Sequence, residues 1–174
     1  MALLRLIASR DHALMRRVHR WPAPKWIRLW MICATRGGDG WLWYLMAVSI
    51  FLFGGEPRYR ALASSGLAAG ISIAIYLWLK VTTSRRRPCH LEPHCWSTLL
   101  PPDQFSFPSG HTMSAFTMAT VWSQFYPGLA PGLFFCALSI AISRILLGMH
   151  FLSDVVVGGL LGTGLAYAVV GFFL

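Results

Sequence analysis

The 174-residue chain is 56% hydrophobic and only 12% charged, with a formal net charge of +9. Transmembrane helices need about 20 apolar residues each, so the length has room for about five or six short spans and excludes a further soluble domain. The charge lies in two basic islands, Arg5, Arg10, Arg16, Arg17, Arg20, Lys25, Arg28 and Arg36 before the first apolar run and Lys80, Arg85, Arg86 and Arg87 after the second, a distribution that suits anionic headgroups and argues against a nucleic-acid partner.

Taken in chain order, the opening eight residues are too briefly apolar before Arg10 and Asp11 to act as a cleavable signal peptide. Residues 10–36 read as one or two surface-lying helices, because the stretch from Trp26 to Ala34 carries Arg28 and is too short to span. Apolar runs between breakers place spans at residues 40–53, 61–81, 112–126, 129–147 and 151–174. The expectation is an all-α polytopic transmembrane bundle of five to six spans with a basic interfacial segment over 1–36, the whole of 1–174 forming one membrane-embedded domain. The first span is the weakest, needs Gly37 and Gly38 to reach across, and carries Trp41, Trp43 and Tyr44 as interfacial aromatics. Residues 82–107 form a polar, Pro-rich loop, and a loop of that length is usually functional. Gly66 with Gly70, and Gly158 with Gly162, place small residues one turn apart, which predicts close helix packing at both pairs.

Three clusters carry chemistry: Lys80, Arg87 and Pro88; Pro108, Ser109, Gly110 and His111; Ser143, Arg144, His150 and Asp154. The parity of the spans puts all three at one membrane face. Ionisable groups at membrane depth are costly unless paired or functional, so Arg144, His150 and Asp154 mark a site. A lone histidine near a helix end is usually structural; one with a carboxylate four residues on and a second histidine nearby is not. If the last helix begins near His150, Asp154 lies one turn below its ring, fixes the tautomer and leaves the other ring nitrogen to attack. Phosphoryl transfer needs dense positive charge and hydrogen-bond donors around the phosphate oxygens. Lys80, Arg87 and Arg144 offer the charge, Ser109 and Gly110 at a helix opening offer donors, and His111 is placed to protonate a leaving oxygen.

These clusters read K-x6-R-P from Lys80 to Pro88, P-S-G-H from Pro108 to His111, and S-R-x5-H-x3-D from Ser143 to Asp154. In this the chain resembles the type 2 phosphatidic acid phosphatase (PAP2) superfamily, as a small bacterial-type integral membrane member. The resemblance implies that Lys80, Arg87, Ser109, Gly110 and Arg144 bind phosphate, that His111 is the general acid, that His150 forms a phospho-histidine and that Asp154 supports it. It implies no metal, no cofactor and no obligatory protein partner. The substrate would be a membrane lipid phosphate or diphosphate such as undecaprenyl diphosphate, phosphatidic acid or phosphatidylglycerol phosphate, hydrolysed at the extracytoplasmic face of a bacterial inner membrane. Bacterial members commonly have six spans, against the five read here.

A lipid phosphotransferase is the alternative within the family. A transporter or non-catalytic lipid-binding protein is the alternative outside it, but residues 112–126 and 129–143 carry no charge near the bilayer midplane. The positive-inside rule opposes the family's sidedness, since eight basic residues precede the first span and only Arg58 and Arg60 lie opposite. The family expectation is preferred because catalytic arginines do not belong in that count. Cys89 and Cys95 bracket a segment that also holds His90 and His94. A disulfide, free thiols or a metal site remain open there, although four ligands in so short a segment can hardly surround one metal tetrahedrally. Cys33 and Cys136 read as ordinary apolar or interfacial residues.

Overall fold

Apolar residues run along this chain in long blocks between breakers, and the computed structural model, which describes residues 2–91 and 103–173, contains helices and no β-strand among them. The basic N-terminus forms two helices, α1 (Ala2–His19) and α2 (Lys25–Arg36), broken by Pro22 and Pro24, whose missing N–H groups cannot continue a helix. α2 meets α3 (Leu42–Phe53) across a kink in Gly37–Trp41. Gly40 there has φ 122°, a conformation that glycine adopts without steric cost.

α4 (Arg58–Thr83) ends where Ser84 turns left-handed, at φ 47°, and its N–H closes on the Lys80 carbonyl at 3.1 Å. The chain thereby doubles back through Arg85–Arg87 into the short α5 (Pro88–Leu91). The central helix α6 (Gly110–Phe125) follows the long loop. After a 3-10 turn at Pro127–Leu129 come α7 (Ala130–Leu146) and α8 (Leu152–Val170).

Among the described residues three helices are long and apolar enough to cross a bilayer: Arg58–Thr83, Pro127–Leu146 and Leu152–Val170. α3 has 12 residues and α6 has 16, so each is shorter than the about 20 that a straight span needs. α6 is walled in by protein, with Met113, Ala115, Ala119, Val121 and Trp122 fully buried. Trp122 packs on Trp43 of α3, ring centroids 5.9 Å apart.

The two glycine pairs behave differently. A Cβ on Gly158 would sit 2.8 Å from the Ser109 carbonyl oxygen, and one on Gly162 would strike the Met113 carbonyl, so α8 presses directly on the backbone of α6 as expected. Gly66 and Gly70 have nothing within 4 Å of such a Cβ; the packing role predicted for them is not found, because α4 turns that face to open space. Cys95 and His94 lie outside the described residues, and with them the disulfide, free-thiol and metal readings left open around Cys89. Cys33 is exposed and Cys136 half-buried, in keeping with the reading of both.

Candidate active site

Helices that alternate in direction bring the C-terminus of α4, the N-terminus of α6, the C-terminus of α7 and the start of α8 to one end of the bundle. A cavity of about 570 Å³ at that end is walled by Lys80, Arg87, Gly110, His111, Arg144 and His150. Two expected members stand behind the wall. Ser109 is buried, its hydroxyl 2.9 Å from that of Thr112, and its N–H donates to the Asp154 carbonyl at 3.1 Å. Asp154 is likewise fully buried and acts through its neighbours.

His150 lies in the turn between α7 and α8, 1% exposed. Its Nδ1 is 2.6 Å from the Ser106 carbonyl, which can only accept, and its Nε2 is 3.0 Å from Nη1 of Arg87, which can only donate. Both contacts demand the same species, a neutral imidazole with its proton on Nδ1 and a lone pair on Nε2. Burial, followed by the charges of Arg87, Arg144 and Lys80, holds its pKa well below that of an ordinary histidine.

Asp154 departs from the expected arrangement. Helix α8 begins at Leu152, two residues after His150, so Asp154 falls in its first turn and its Oδ2 caps the Phe151 N–H at 2.9 Å. Nδ1 of His150 is 3.7 Å from that oxygen, farther than from the Ser106 carbonyl. The Ser106 carbonyl of the long loop therefore holds the tautomer, with the Asp154 carboxylate beside it at 3.7 Å. Oδ1 of Asp154 takes Nη1 of Arg85 at 2.6 Å, and Nη2 of Arg85 reaches Asp11 of α1 at 2.8 Å. Asp11 also accepts the Ser153 N–H at 3.1 Å, which ties α1 to the start of α8.

The cations are partnered in a specific way. Arg87, 1% exposed, gives Nε to the Asp103 carbonyl and Nη2 to the Asp103 carboxylate, both at 2.8 Å, and Nη1 to the Met149 carbonyl at 2.9 Å. Lys80 Nζ lies 2.6 Å from the other Asp103 oxygen. Burial alone would raise the Asp103 carboxyl; hydrogen bonds from Lys80 and Arg87 outweigh it and hold the pKa at about 2. Arg144 is 3% exposed, donates Nη1 to Thr35 of α2, and leaves its buried Nε without a protein partner among the described residues. A buried, permanently charged donor so placed suits an anionic ligand. On the opposite wall His111 Nε2 is 2.8 Å from Oδ1 of Asp39.

Sequence reasoning brought the eight signature residues together and missed Asp11, Thr35, Asp39, Arg85, Asp103 and the Ser106 carbonyl. One signal was available. The chain has only six acidic residues, and all four of its aspartates, Asp11, Asp39, Asp103 and Asp154, are in this network. Among the described residues no group of three or more His, Cys, Asp or Glu side chains is placed to hold a metal ion.

The arrangement has close counterparts among known proteins. The decaprenylphosphoryl-5-phosphoribose phosphatase of Mycobacterium tuberculosis is 36% identical over 126 residues, which are 71% of this chain and 66% of that protein. Its namesake in Mycolicibacterium smegmatis is 32% identical over 101 residues, 58% of this chain and 54% of that one. The matches thus span less than two thirds of these relatives. The crystal structure of Aquifex aeolicus LpxE superposes with a TM-score of 0.78 at 28% identity, covering 91% of this chain and 93% of its own. That of a transmembrane PAP2-type phosphatidylglycerolphosphate phosphatase from Bacillus subtilis superposes with a TM-score of 0.73 at 26% identity, covering 96% and 86%. Residues 61–174, which carry all three sequence clusters, match the PAP2 superfamily. With the signature side chains gathered around one cavity and that match running over most of the chain, this protein belongs to the PAP2 superfamily.

Proposed function

We propose that the protein is an integral membrane lipid phosphatase whose nucleophile is Nε2 of His150. The observation that carries this reading is the double constraint on that ring: a carbonyl at Nδ1 and a guanidinium at Nε2 leave the lone pair on the nitrogen that faces the cations. In the first step Nε2 attacks phosphorus, the bond to the lipid oxygen breaks, and His111 gives that oxygen a proton. In the second, water attacks the phospho-histidine, His111 takes the water's proton, and inorganic phosphate leaves. Arg87 turns its Nη1 from Nε2 to a phosphate oxygen as the first step begins. Lys80, Arg87 and Arg144, with the N–H groups at the opening of α6, neutralise the three phosphoryl oxygens and make a metal unnecessary. Ser109 acts indirectly, by fixing that helix opening against Asp154.

The same cavity continues away from the cations between α3 and α4, past Leu77, Ile73, Ala69, Gly66 and Leu62, with Trp43 and Ala47 opposite. From Lys80 to Leu62 α4 rises by about 27 Å at about 1.5 Å per residue, close to the thickness of a hydrocarbon core. Gly66 leaves room there, and the groove suits a long apolar tail held beside the bilayer. The substrate is therefore a terminal phosphate or diphosphate on a long-tailed lipid: a polyprenyl phosphate derivative such as the mycobacterial relatives' names describe, undecaprenyl diphosphate, phosphatidylglycerol phosphate or phosphatidic acid. The chain works as one unit with five crossings, α3 and α6 included, and its site opens at the extracytoplasmic face of the inner membrane.

Phosphate release from a panel of decaprenylphosphoryl-5-phosphoribose, undecaprenyl diphosphate, phosphatidylglycerol phosphate, phosphatidic acid and lipid A phosphate tests the reading. At least one lipid should be turned over by the purified protein and none by His150→Ala. Full activity in His150→Ala, or inertness towards every lipid, would overturn it.

A further inference from the structure

The sequence Gly37-Gly38-Asp39-Gly40 is not part of the three-part signature, yet it builds one wall of the site. Three glycines in four positions weaken a helix turn, and the chain kinks here with Gly40 at φ 122°. Asp39 stands at this kink and reaches across the cavity, its Oδ1 2.8 Å from Nε2 of His111. Gly38 completes the fit. A Cβ there would lie 2.9 Å from Ile140 and 3.3 Å from the His111 ring, so a larger residue would have to push Ile140 and the imidazole aside. Arg36, one turn back, faces the other Asp39 oxygen at 3.6 Å, while Lys80 and Arg144 share the cavity wall with both.

We propose that Asp39 is the positioning residue of the acid step, an inference that rests on reading His111 as the general acid. The Asp39 carboxylate accepts Nε2–H of His111 and keeps it, so the proton that moves is carried on Nδ1. As the phosphorus–oxygen bond to the lipid breaks, Nδ1 gives that proton to the departing oxygen. When water attacks the phospho-histidine, Nδ1 recovers a proton from the water and the pair is restored. Asp39 itself exchanges no proton over the cycle. Two histidines of one site thus use opposite ring nitrogens: His150 is held at Nδ1 and reacts at Nε2, and His111 is held at Nε2 and reacts at Nδ1.

The test compares two substrates with the same phosphoryl group and different leaving groups. An alkyl phosphate on a lipid must be protonated to leave; p-nitrophenyl phosphate need not be. In a single turnover, Asp39→Ala should slow cleavage of the lipid by about 10- to 100-fold, the usual effect of removing a group that orients a reacting ligand, and should leave the first-turnover release of p-nitrophenolate from p-nitrophenyl phosphate within about threefold, because only the second step, common to both substrates, then needs the pair. Asp39→Asn, which keeps an acceptor at the same place, should show the same contrast in weaker form. His111→Ala measured alongside should show it in stronger form, about 100- to 10,000-fold on the lipid. Equal losses on both substrates, or none on either, in Asp39→Ala would overturn the inference while the contrast in His111→Ala stands. Loss of the contrast in His111→Ala itself would instead remove the acid role from which the inference starts.

Discussion

On the proposed mechanism, in which Lys80 and Arg87 bind phosphate, Asp103 occupies the ligand's place. Its two carboxylate oxygens sit on Lys80 at 2.6 Å and Arg87 at 2.8 Å, and it lines the same cavity wall. A phosphate that binds these cations has to displace the carboxylate, so Asp103→Asn, which preserves shape and the acceptor for the Phe105 N–H, should tighten anion binding. Charge-assisted hydrogen bonds contribute about 1.5–3 kcal/mol each. The Asp103 side chain is 36% exposed, and solvent screening reduces the pair to about 1–2 kcal/mol, or about 5- to 30-fold in affinity. The assay is inhibition of turnover by inorganic phosphate or orthovanadate at pH 7 and fixed ionic strength, where Ki should fall by that factor in the variant. With its pKa at about 2, Asp103 is ionised throughout the neutral range, so the ratio of the two Ki values should be flat from pH 5 to pH 8. A Ki that rises, or does not change, would show that Asp103 organises the cations instead of competing with the ligand.

Activity should survive EDTA, because three cationic side chains supply the charge neutralisation; complete loss on chelation with recovery on adding a divalent ion would sink the metal-free mechanism. Gly162→Ala should lower the melting temperature in detergent, since overpacking against the Met113 carbonyl costs about 1–3 kcal/mol, whereas Gly66→Ala, with open space around it, should not. Arg85→Ala strands Asp154 and Asp11 in buried surroundings, and breaking such a pair costs about 3–5 kcal/mol; unchanged thermal stability would refute the network. The depressed Asp103 carboxyl contributes stability that is fully present above its unfolded value near 3.8 and is lost as pH falls towards 2. Followed by circular dichroism, Asp103→Asn, which lacks that contribution, should therefore be less stable than the parent protein above about pH 4, and the difference should vanish as pH falls towards 2.

What could be read in the sequence and what could not divide along the range of the interactions. Lys80, Arg87, His111, Arg144 and His150 announce themselves because charges are expensive in an apolar chain and because helix parity alone puts them at one end. The partner of His150 does not, because a backbone carbonyl has no side-chain signature: Asp154 at i+4 looked like the orienting group, while Ser106 arrives from a loop whose path no periodicity describes. Gly37 and Gly38 read as residues that lengthened a weak span, yet they belong to the kink at which Asp39 stands. The Gly66–Gly70 pair shows the converse error, since small residues one turn apart serve equally well for packing and for leaving space.

The PAP2 match begins at residue 61, but three groups of the site are partnered by residues that precede it: Arg85 by Asp11, Arg144 by Thr35 and His111 by Asp39. Helices α1 and α2 are therefore held by the site as well as by any lipid surface their basic residues meet. This bears on the conflict between charge bias and family sidedness. If α1 were free to sit at either face, its arginines could follow the positive-inside rule while the catalytic end faced outward. The Asp11 contacts with Arg85 and Ser153 remove that freedom, because Asp11 is 4% exposed and its partners stand on the loop and helix that carry Arg87 and Asp154. The N-terminal basic residues and the cavity's cations share one face, and part of the basic excess counted there, Arg36 beside Asp39, is already met by a carboxylate of the same network. An extracytoplasmic site then places the whole N-terminal segment outside as well, docked on the domain it helps to complete.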